Sequence, residues 1–453
     1  MLPVLSPEEM ARLDRESPTP VDVLMERAGW AVAREAATAM GAGYGTRVAV
    51  LAGPGNNGGD GYVAARLLSE RGAAVEVVIL AEPKAPAAQR AAALARRRGV
   101  VISPWRPPGH EDLVIDALFG GGLRDGLPAE VKPWLETSCP VLSVDVPSGL
   151  DPDTGTGDSF QADATVTFHA LRPGHVLGDG PDRCGRVVVA DIGLHGGDPV
   201  MQVAEESDAA LPARPRRAHK WSAGSVLVVG GSPGMEGAAV FAARSALHFG
   251  AGAVGLAVPP TSSEVVAGLA PDLLRYSSDY PPTKYDVLVI GPGLDPAEAE
   301  RLEHVVSGWQ GPVVFDAGGI SLGASLAASR PGPSVLTPHA GEFSRAFAME
   351  AGPQTAMTAA SGSGSTVLLK GSPTLVTGGG VPWVVREGGP ELASIGTGDV
   401  LAGMVGALLA RGLNPVAAAT SAAFWHGRAG RLVASTGSLT ADRLAVEIGR
   451  FAW

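Results

Sequence analysis

The chain has 453 residues, with 46 acidic and 35 basic side chains and a formal net charge of -11. Its length accommodates about two to four domains, or two large α/β domains, and its acidic balance argues against nucleic acid as a general partner. It contains no apolar run of about 18 residues, and acids occupy the place of a signal-peptide core, so we expect neither a membrane span nor secretion. Two cysteines, Cys139 and Cys184, are too few for a disulfide framework. A cytoplasmic enzyme is the expected class.

The first half predicts one α/β domain. Residues from Ser6 to Met40 predict helix, because apolar residues recur at three- and four-residue spacing and Ser6 with Glu9 resembles a capping box. Short apolar runs then predict strands, separated by stretches typical of helices: Arg47–Ala52, Val75–Leu80, Leu113–Leu118, Val141–Val146, Ala164–His169 and Arg186–Asp191. Continuous rather than alternating hydrophobicity indicates strands covered on both faces, and therefore a parallel sheet.

The second half predicts another α/β domain. Apolar periodicity disappears over residues 204–220, where charge and proline accumulate, so we predict domains 1–208 and 209–453. Strands and two helices are then predicted at Ser225–Gly230, Gly255–Val258, Asp286–Ile290, Val313–Asp316, Ser334–Thr337, Thr366–Lys370, Gly398–Gly412 and Pro415–Ala434. Both halves open with strand, glycine loop and helix, but the loop sequences differ, which argues against an internal repeat.

The most distinctive N-terminal segment is Gly53–Gly61, with five glycines in nine positions between a strand and a helix. Such a segment lets the backbone approach a ligand closely, and the following helix start adds positive potential, which suits a pyrophosphate. It matches neither the GxGxxG fingerprint nor the P-loop. A tight turn with no ligand remains the alternative.

Polar side chains follow two further strands of this half. Asp116 ends one strand, and Asp145 and Ser148 lie just past the next. Because the carboxyl ends of parallel strands meet at one edge of a sheet, these residues are expected to line one crevice with the glycine segment. Asn57, Asp116 and Ser148 offer the hard oxygen ligands that alkali or alkaline-earth ions prefer. Each aspartate taken alone is more typical of a loop-capping carboxylate, and only the three strand-end residues together favour a site.

Four segments together, LMERAG, GNNGGDG, DALFGGGL and DVPSG, resemble the NAD(P)H-hydrate epimerase family over about the first 200 residues. The resemblance implies a Rossmann-like three-layer α/β/α fold and a potassium ion held by Asn57, Asp116 and Ser148. The implied contacts with the hydrated nicotinamide nucleotide are Asn56, Asn57, Gly58, Gly59, Asp60, Gly120, Gly121, Gly122, Leu123, Arg124, Asp125, Gly126 and Asp145. The chain has Gly121 where the family usually has threonine, so a contact through that hydroxyl is in question.

Chemistry at the first site needs proton transfer. The C6 hydroxyl of the hydrate is part of a carbinolamine, so loss and return of water through an iminium-like state can interconvert the R and S forms. We predict Asp145 as the acid/base group.

The second half has its most informative motif at Ile395–Gly403, where a Gly-Thr-Gly-Asp turn opens a helix. Free amides at the helix start can hold an anion, and Asp399 lies beside them as a candidate general base. This combination of groups is suited to phosphoryl transfer. The alternatives are a capped helix for this turn and a hairpin with a solvated amine for Lys370. We expect His339 taken alone, and His426 more firmly, to be structural, and Glu342 to cap or orient.

Six ordered motifs, HK, GGSPGMEGA, GPGL, TPHAGEF, KGSPT and GTGDVLAG, resemble the ADP-dependent NAD(P)H-hydrate dehydratase family across the second half. The resemblance implies a ribokinase-like α/β/α fold, with ADP as co-substrate and Mg²⁺. It implies hydrate contacts at Ala238, Gly293, His339 and Asp399, and ADP contacts at Lys370, Gly371, Ser372, Pro373, Thr374 and Gly398. Asp399 is the predicted catalytic base. The loop from Asp316 to Ile320 departs from the family pattern and receives no role.

The two resemblances predict a fused enzyme that acts on the hydrates of NADH and NADPH, abbreviated NADHX and NADPHX. The first domain would equilibrate the epimers, and the second would dehydrate the S form with ADP, giving AMP and phosphate. A homo-oligomer is expected, with no nucleic acid or membrane partner. The alternative is a ribokinase-like small-molecule kinase with a non-catalytic N-terminal binding module. The sequence does not decide between ADP and ATP or between NADH and NADPH hydrates.

Overall fold

The computed structural model describes residues 1–121, 126–214, 216–279 and 282–452. The chain divides into two units, Leu2–Met201 and Gln202–Trp453, with Met1 assigned to the second. The division precedes the predicted boundary at 208/209, because Gln202 and Val203 already pair with a strand of the second unit. Among the described helices, none is long and apolar enough to cross a membrane.

The first unit contains a seven-stranded sheet in which every pairing is parallel, as predicted. Its strands are β1 (Leu2–Val4), which is bridged to Leu171 and lies outside this sheet, β2 (Arg47–Ala52), β3 (Ala74–Ile79), β4 (Val101–Pro104), β5 (Leu113–Ala117), β6 (Val141–Val144), β7 (Ala164–Phe168) and β8 (Arg186–Ala190). The order across the sheet is β4-β3-β2-β5-β6-β7-β8.

Helices cover both faces of this sheet. They are α1 (Pro7–Glu16), α2 (Val21–Ala39), α3 (Asn56–Glu70), α4 (Pro86–Arg97), α5 (Lys132–Leu135) and α6 (Gly180–Arg183). One apolar core includes Val32, Tyr62 and Leu68 on the side of α2 and α3, and a second surrounds Trp134 and Phe160 on the opposite face. The predicted N-terminal helix starts with Ser6 as its cap, 3.2 Å from the Glu9 amide, but it is two helices. Pro18 and Pro20 lie between them, and proline interrupts helical hydrogen bonding.

The second unit contains a longer, mixed sheet. Its strands are β9 (Met201–Val203), β10 (Ser225–Val229), β11 (Ala253–Val258), β12 (Leu274–Ser277), β13 (Val287–Ile290), β14 (Val313–Phe315), β15 (Ser334–Leu336), β16 (Thr366–Leu369), β17 (Thr374–Thr377) and β18 (Trp383–Val385). They follow the order β9-β18-β17-β16-β15-β14-β13-β10-β11-β12, parallel from β12 to β16 and antiparallel at β16-β17-β18.

Helices again cover both faces, so the three-layer α/β/α prediction is confirmed for both halves. They are α7 (Glu236–His248), α8 (Ser263–Leu269), α9 (Pro296–Arg301), α10 (Glu303–Gly308), α11 (Ile320–Leu326), α12 (Ala340–Phe347), α13 (Pro353–Ser363), α14 (Thr397–Ala410), α15 (Pro415–Ser435) and α16 (Ala441–Glu447). One core joins α7, α14, α15 and α16 to the sheet, and the other contains Trp309, Phe315 and Ile320.

Candidate functional sites

The first unit holds a cavity of about 520 Å³ at the carboxyl ends of β2, β5 and β6. Three groups of predicted residues line it: Asn56, Asn57 and Asp60 from α3, Gly120 and Gly121 after β5, and Asp145 after β6. The structure therefore brings the separate motifs to one crevice. The predicted contacts Gly122, Leu123, Arg124 and Asp125 lie outside the described residues.

The glycine segment differs from the predicted loop. Helix α3 already begins at Asn56, with Gly55 as its cap, so Asn56–Asp60 form the first helical turns. A Cβ added to Gly58 would lie 2.0 Å from the Gly53 carbonyl oxygen, and one added to Gly59 would lie 2.4 Å from Met25 Cε. These two glycines serve close packing within the protein. Gly55 instead lines the cavity, and a Cβ added there meets nothing within 4 Å.

Asp145 is held in one orientation by four donors. Its backbone is left-handed, with φ 65°, and its carbonyl oxygen lies 2.8 Å from His175 Nε2. The carboxylate accepts from Arg172 Nη2 at 2.9 Å, Thr167 Oγ1 at 3.1 Å and the Gly121 amide at 3.2 Å. Burial alone would raise the pKa of the Asp145 carboxyl, but the charges of Arg172 and His175 and these donors lower it below its ordinary value. These contacts therefore favour the carboxylate form of Asp145.

Asp60 has the opposite character. It is 9% exposed, and among the described residues no group donates a hydrogen bond to its carboxyl. Burial first, and the nearby negative charge of Asp145 second, raise the pKa of Asp60 well above its ordinary value. The pKa values of Asp60 and Asp145 are thus shifted in opposite directions within one cavity.

Asp116 and Ser148 are in direct contact behind the cavity. Asp116 Oδ1 accepts from Ser148 Oγ at 2.6 Å, and Asp116 Oδ2 accepts from the Ser148 amide at 2.8 Å and Ser143 Oγ at 3.0 Å. The carboxyl is fully buried, which raises its pKa to about 6, although these donors and the Leu118 amide lower it. No cationic side chain among the described residues pairs with it. Asn57 Nδ2 is likewise buried, and it has no hydrogen-bond partner among the described residues.

Three residues of the first site were missed in the sequence: Arg172, Thr167 and His175. They lie on or just after β7, the strand beside β6, so extending the strand-end rule by one strand would have found them. The departure at Gly121 costs no contact with Asp145, because the backbone amide makes it.

In the second unit, the loops after β10 and β13 are joined by hydrogen bonds, with the Ser232 amide donating to the Gly293 carbonyl at 2.7 Å. Gly293 has φ +60°, and an added Cβ would lie 3.0 Å from Ala238 Cβ. The structure therefore brings Ala238 and Gly293 together, and their contact with the hydrate stays a prediction. Helix α7, which carries Ala238, packs tightly on α14, since a Cβ on Gly403 would lie 2.1 Å from the Ala242 carbonyl.

Lys370 follows β16 at the start of the hairpin to β17, and its side chain is only 20% exposed. Its Nζ lies 2.9 Å from Asp316 Oδ1 and 3.6 Å from Glu342 Oε2. A Cβ built on Gly398 would lie 3.3 Å from the same Nζ. The ammonium is thus not free in solvent, and it links the strand ends to the start of α14. The rest of the predicted ADP segment, Gly371–Thr374, forms the hairpin turn, with Thr374 Oγ1 donating to the Gly371 carbonyl.

Asp399 lies in the first turn of α14, one residue after Gly398. Burial, and the like charges of Asp316 and Glu342, raise its pKa to about 7, while Lys370 opposes the shift. A carboxyl group with a pKa near neutrality is suited to accept a proton during turnover. The first amides of a helix have no acceptor within it, so they are available to a phosphate group at the same point.

The histidines behave differently from one another. His426 Nε2 lies 2.9 Å from the Thr397 carbonyl, and burial lowers its pKa to about 4, so it is a neutral structural histidine, as predicted. His339 caps α12: its Nδ1 accepts from the Gly341 amide at 3.0 Å, and the Glu342 carboxylate accepts from the His339 amide at 2.8 Å. The capping role predicted for Glu342 is therefore confirmed. The His339 side chain is 56% exposed, which leaves its Nε2 accessible to a ligand.

Similarity to known proteins identifies the family independently of the site geometry. A family profile described as NAD(P)H-hydrate dehydratase matches residues 226–450, and one described as YjeF-related protein N-terminus matches residues 21–174. The chain is 35% identical to the bifunctional NAD(P)H-hydrate repair enzyme Nnr of Salinibacter ruber, over 96% of this chain and 92% of that protein. The chain belongs to the family of bifunctional NAD(P)H-hydrate repair enzymes. The Gloeobacter violaceus member is 36% identical, over 92% of this chain and 90% of its own length.

Solved structures resemble the second unit of this family member. The ADP/ATP-dependent NAD(P)H-hydrate dehydratase from Bacillus subtilis, co-crystallised with ATP and Mg²⁺, aligns with a TM-score of 0.50 and 28% identity, covering 56% of this chain and 98% of that one. A ribokinase-like superfamily protein from Enterococcus faecalis aligns with a TM-score of 0.51 at 22% identity, covering 56% and 95%. The similarity to the Enterococcus faecalis protein establishes only the fold of this unit.

Proposed function

We propose that this chain repairs hydrated NADH and NADPH at two active sites, one in each unit. The first interconverts the R and S hydrates, and the second dehydrates the S hydrate with ADP, giving AMP and phosphate. The observation that supports this most strongly is the presence, in one chain of this family, of two separate sets of strand ends that each place a carboxyl group beside open backbone amides.

At the first site, the two carboxyl groups divide the proton transfer. Asp60, whose pKa is raised by burial, donates a proton to the C6 hydroxyl as the C–O bond breaks, and the ring nitrogen lone pair forms the iminium. A water molecule then adds to C6 from either face and gives its proton to the Asp145 carboxylate. Arg172 stabilises the Asp145 carboxylate. Because the R and S hydrates interconvert, Asp145 returns the proton in the reverse direction and Asp60 accepts it, so each carboxyl group is acid in one direction and base in the other.

Asn57, Asp116 and Ser148 carry oxygen atoms of the kind that potassium binds, at or near the carboxyl ends of β2, β5 and β6. The buried Asp116 carboxylate has no cationic partner among the described residues, and exchanging the nitrogen and oxygen of the Asn57 amide would place an unpaired oxygen there. Asn57, Asp116 and Ser148 would hold the ion, which supplies positive charge for the substrate phosphates. Potassium should then raise the melting temperature of the wild-type chain but not that of Asp116→Asn.

At the second site, Asp399 accepts the proton of the C6 hydroxyl while that oxygen attacks the terminal phosphorus of ADP, and AMP leaves. The phosphate ester is a good leaving group: the ring nitrogen lone pair expels inorganic phosphate from C6, and loss of a C5 proton to water then restores the dihydropyridine. The Gly398 amide and Lys370 stabilise the charge on the transferred group. Within the described residues, no cluster of three or more His, Cys, Asp or Glu side chains could hold a metal. Magnesium, which commonly binds through substrate phosphates and water, would enter with the nucleotide.

The two activities are separated by one assay. A mixture of both epimers of hydrated NADH is incubated with protein, ADP and Mg²⁺, and the absorbance of the reduced nicotinamide is followed. The wild-type chain should restore all of it. Asp145→Asn should restore the S fraction rapidly and the rest only at the spontaneous rate, whereas Asp399→Asn should restore almost none while still equilibrating the epimers.

Exposed aspartates supply matched controls, Asp158→Asn in the first unit and Asp442→Asn in the second, and both should behave as wild type. Full recovery at the normal rate by Asp145→Asn, or normal turnover by Asp399→Asn, would remove the assigned role. A cytoplasmic location, assembly into a homo-oligomer and the choice between ADP and ATP stay predictions.

A further inference from the structure

Asp316 is a buried carboxylate in the loop after β14, to which the sequence assigned no role. Its side chain is 2% exposed. Two groups donate to its Oδ1, Thr337 Oγ1 at 2.7 Å and Lys370 Nζ at 2.9 Å. Its backbone is fixed as well, because its amide donates to the Ile290 carbonyl at 2.9 Å and its carbonyl accepts from the Gly319 amide at 2.8 Å. This carboxylate therefore has one position, set by three neighbouring strands.

The ammonium that Asp316 holds is the one next to the start of α14. Lys370 has its backbone tied to the adjacent strand end, since its amide donates to the Pro338 carbonyl at 2.8 Å. Its long side chain could still adopt many rotamers, and the contact with Asp316 selects the one that ends near Gly398. Glu342, at 3.6 Å, provides a second and longer contact.

Two carboxyl groups, on Asp316 and Glu342, thus lie within 3.6 Å of a single ammonium, and the negative charge of Asp399 also acts on it. Burial would lower the pKa of Lys370, but Asp316 and Glu342 raise it above its ordinary value, so the ammonium keeps its charge. One positive charge cannot compensate three negative ones in a buried region, and the least compensated carboxyl retains its proton most readily. That group is Asp399.

We propose that Asp316 is a positioning residue of the dehydratase site, which fixes the Lys370 ammonium against the first turn of α14 and whose negative charge acts on the Asp399 carboxyl group. This inference rests on the proposed role of Asp399 as the base. A purely structural role, in which Asp316 only neutralises a buried lysine, would affect stability without changing the pH at which Asp399 works.

The test is the pH profile of dehydration, measured as kcat from pH 5 to 9. Asp316→Asn removes a like charge, so the acid-side midpoint should fall, by about one pH unit or more. Lys370→Met removes an opposite charge, so its midpoint should rise. Thr337→Val is the matched control: it deletes a hydrogen bond to Asp316 and keeps every charge, so its midpoint should stay at the wild-type value. Shifts of opposite sign cannot come from general loosening of the site.

The other titratable groups near this turn are His339, whose Nε2 lies 3.5 Å from Glu342, and His426, bonded to the Thr397 carbonyl. The profiles are therefore repeated in a His339→Asn background, where the shifts should persist. Epimerase activity of the same samples reports that the chain is folded. If Asp316→Asn does not fold, the double variant Asp316→Asn/Lys370→Met takes its place, because it leaves no unpaired ammonium. The midpoint of the double variant should be lower than that of Lys370→Met alone.

Midpoints of Asp316→Asn and Thr337→Val that both equal the wild-type value would overturn the proposal, as would an upward shift for Asp316→Asn. Loss of the shifts in the His339→Asn background would likewise assign them to another group and overturn it. If instead Asp399 is not the base, Asp399→Asn would turn over normally with an unchanged pH profile, which distinguishes the two failures.

Discussion

Gly58→Ala should remove epimerase activity while leaving dehydratase activity intact. The added Cβ would lie 2.0 Å from the Gly53 carbonyl oxygen, so the two atoms must separate by more than about 1 Å to reach ordinary contact. Gly53 cannot move away, because its amide donates to the Ala117 carbonyl at 3.1 Å and a Cβ at Gly53 would itself lie 1.9 Å from the Leu118 carbonyl. The start of α3, with Asn56 and Asn57, must therefore shift.

Overpacking of this kind costs about 1–3 kcal/mol, of which the better helix propensity of alanine returns about 1 kcal/mol. The effect on catalysis should be larger, since a displacement of about 1 Å in a positioned group can cost roughly a hundredfold in rate. The assay compares epimerisation and dehydration rates in the same sample, with Gly43→Ala as control because its Cβ would meet nothing within 4 Å. A Gly58→Ala chain that epimerises at the wild-type rate would refute the reasoning.

Three further outcomes are expected. Because the pKa of Asp399 is about 7 and the base must be ionised, the dehydration rate should fall about tenfold from pH 8 to pH 6; a flat profile would contradict this. His426 has a pKa of about 4 in the folded chain and 6.5 in the unfolded chain, so between these pH values only the unfolded chain binds a proton at this residue. The free energy of unfolding should therefore fall by up to about 3 kcal/mol as the pH drops from 6.5 to 4. Urea denaturation of His426→Gln should lack this pH-dependent loss of stability. Arg172→Met breaks a buried ion pair with Asp145, which should cost about 3–5 kcal/mol and the epimerase activity but not the dehydratase activity, as thermal unfolding and both assays would show.

The sheet interiors were predictable because buried parallel strands are continuous apolar runs. Strand β2 matches its predicted bounds, and the other central strands differ by one or two residues at their ends. The edge strands β4 and β12 were missed, because they are half exposed and carry no continuous apolar run. The hairpin strands β17 and β18 were also missed, since the all-parallel pattern gave no reason to expect a reversal after β16.

The site residues were predictable where a strand end or a glycine cluster announced them. Asp116 and Asp145 were found this way, and the same rule applied to β14 would have given Asp316. What the sequence could not supply was pairing: that Arg172 holds Asp145, or that Asp316 and not solvent receives Lys370. These contacts join residues 27 and 54 positions apart, and only the assembled sheet sets them.

The tight seam between α7 and α14 fixes a distance that chemistry depends on. Ala238 belongs to one helix and Asp399 to the other, and Gly403 lets their backbones touch. In the proposed function, the hydrate and the phosphoryl donor would bind to two helices whose backbones already pack in direct contact. Alignment of the attacking oxygen then depends on how each ligand settles against this pair and requires no relative motion of the two helices.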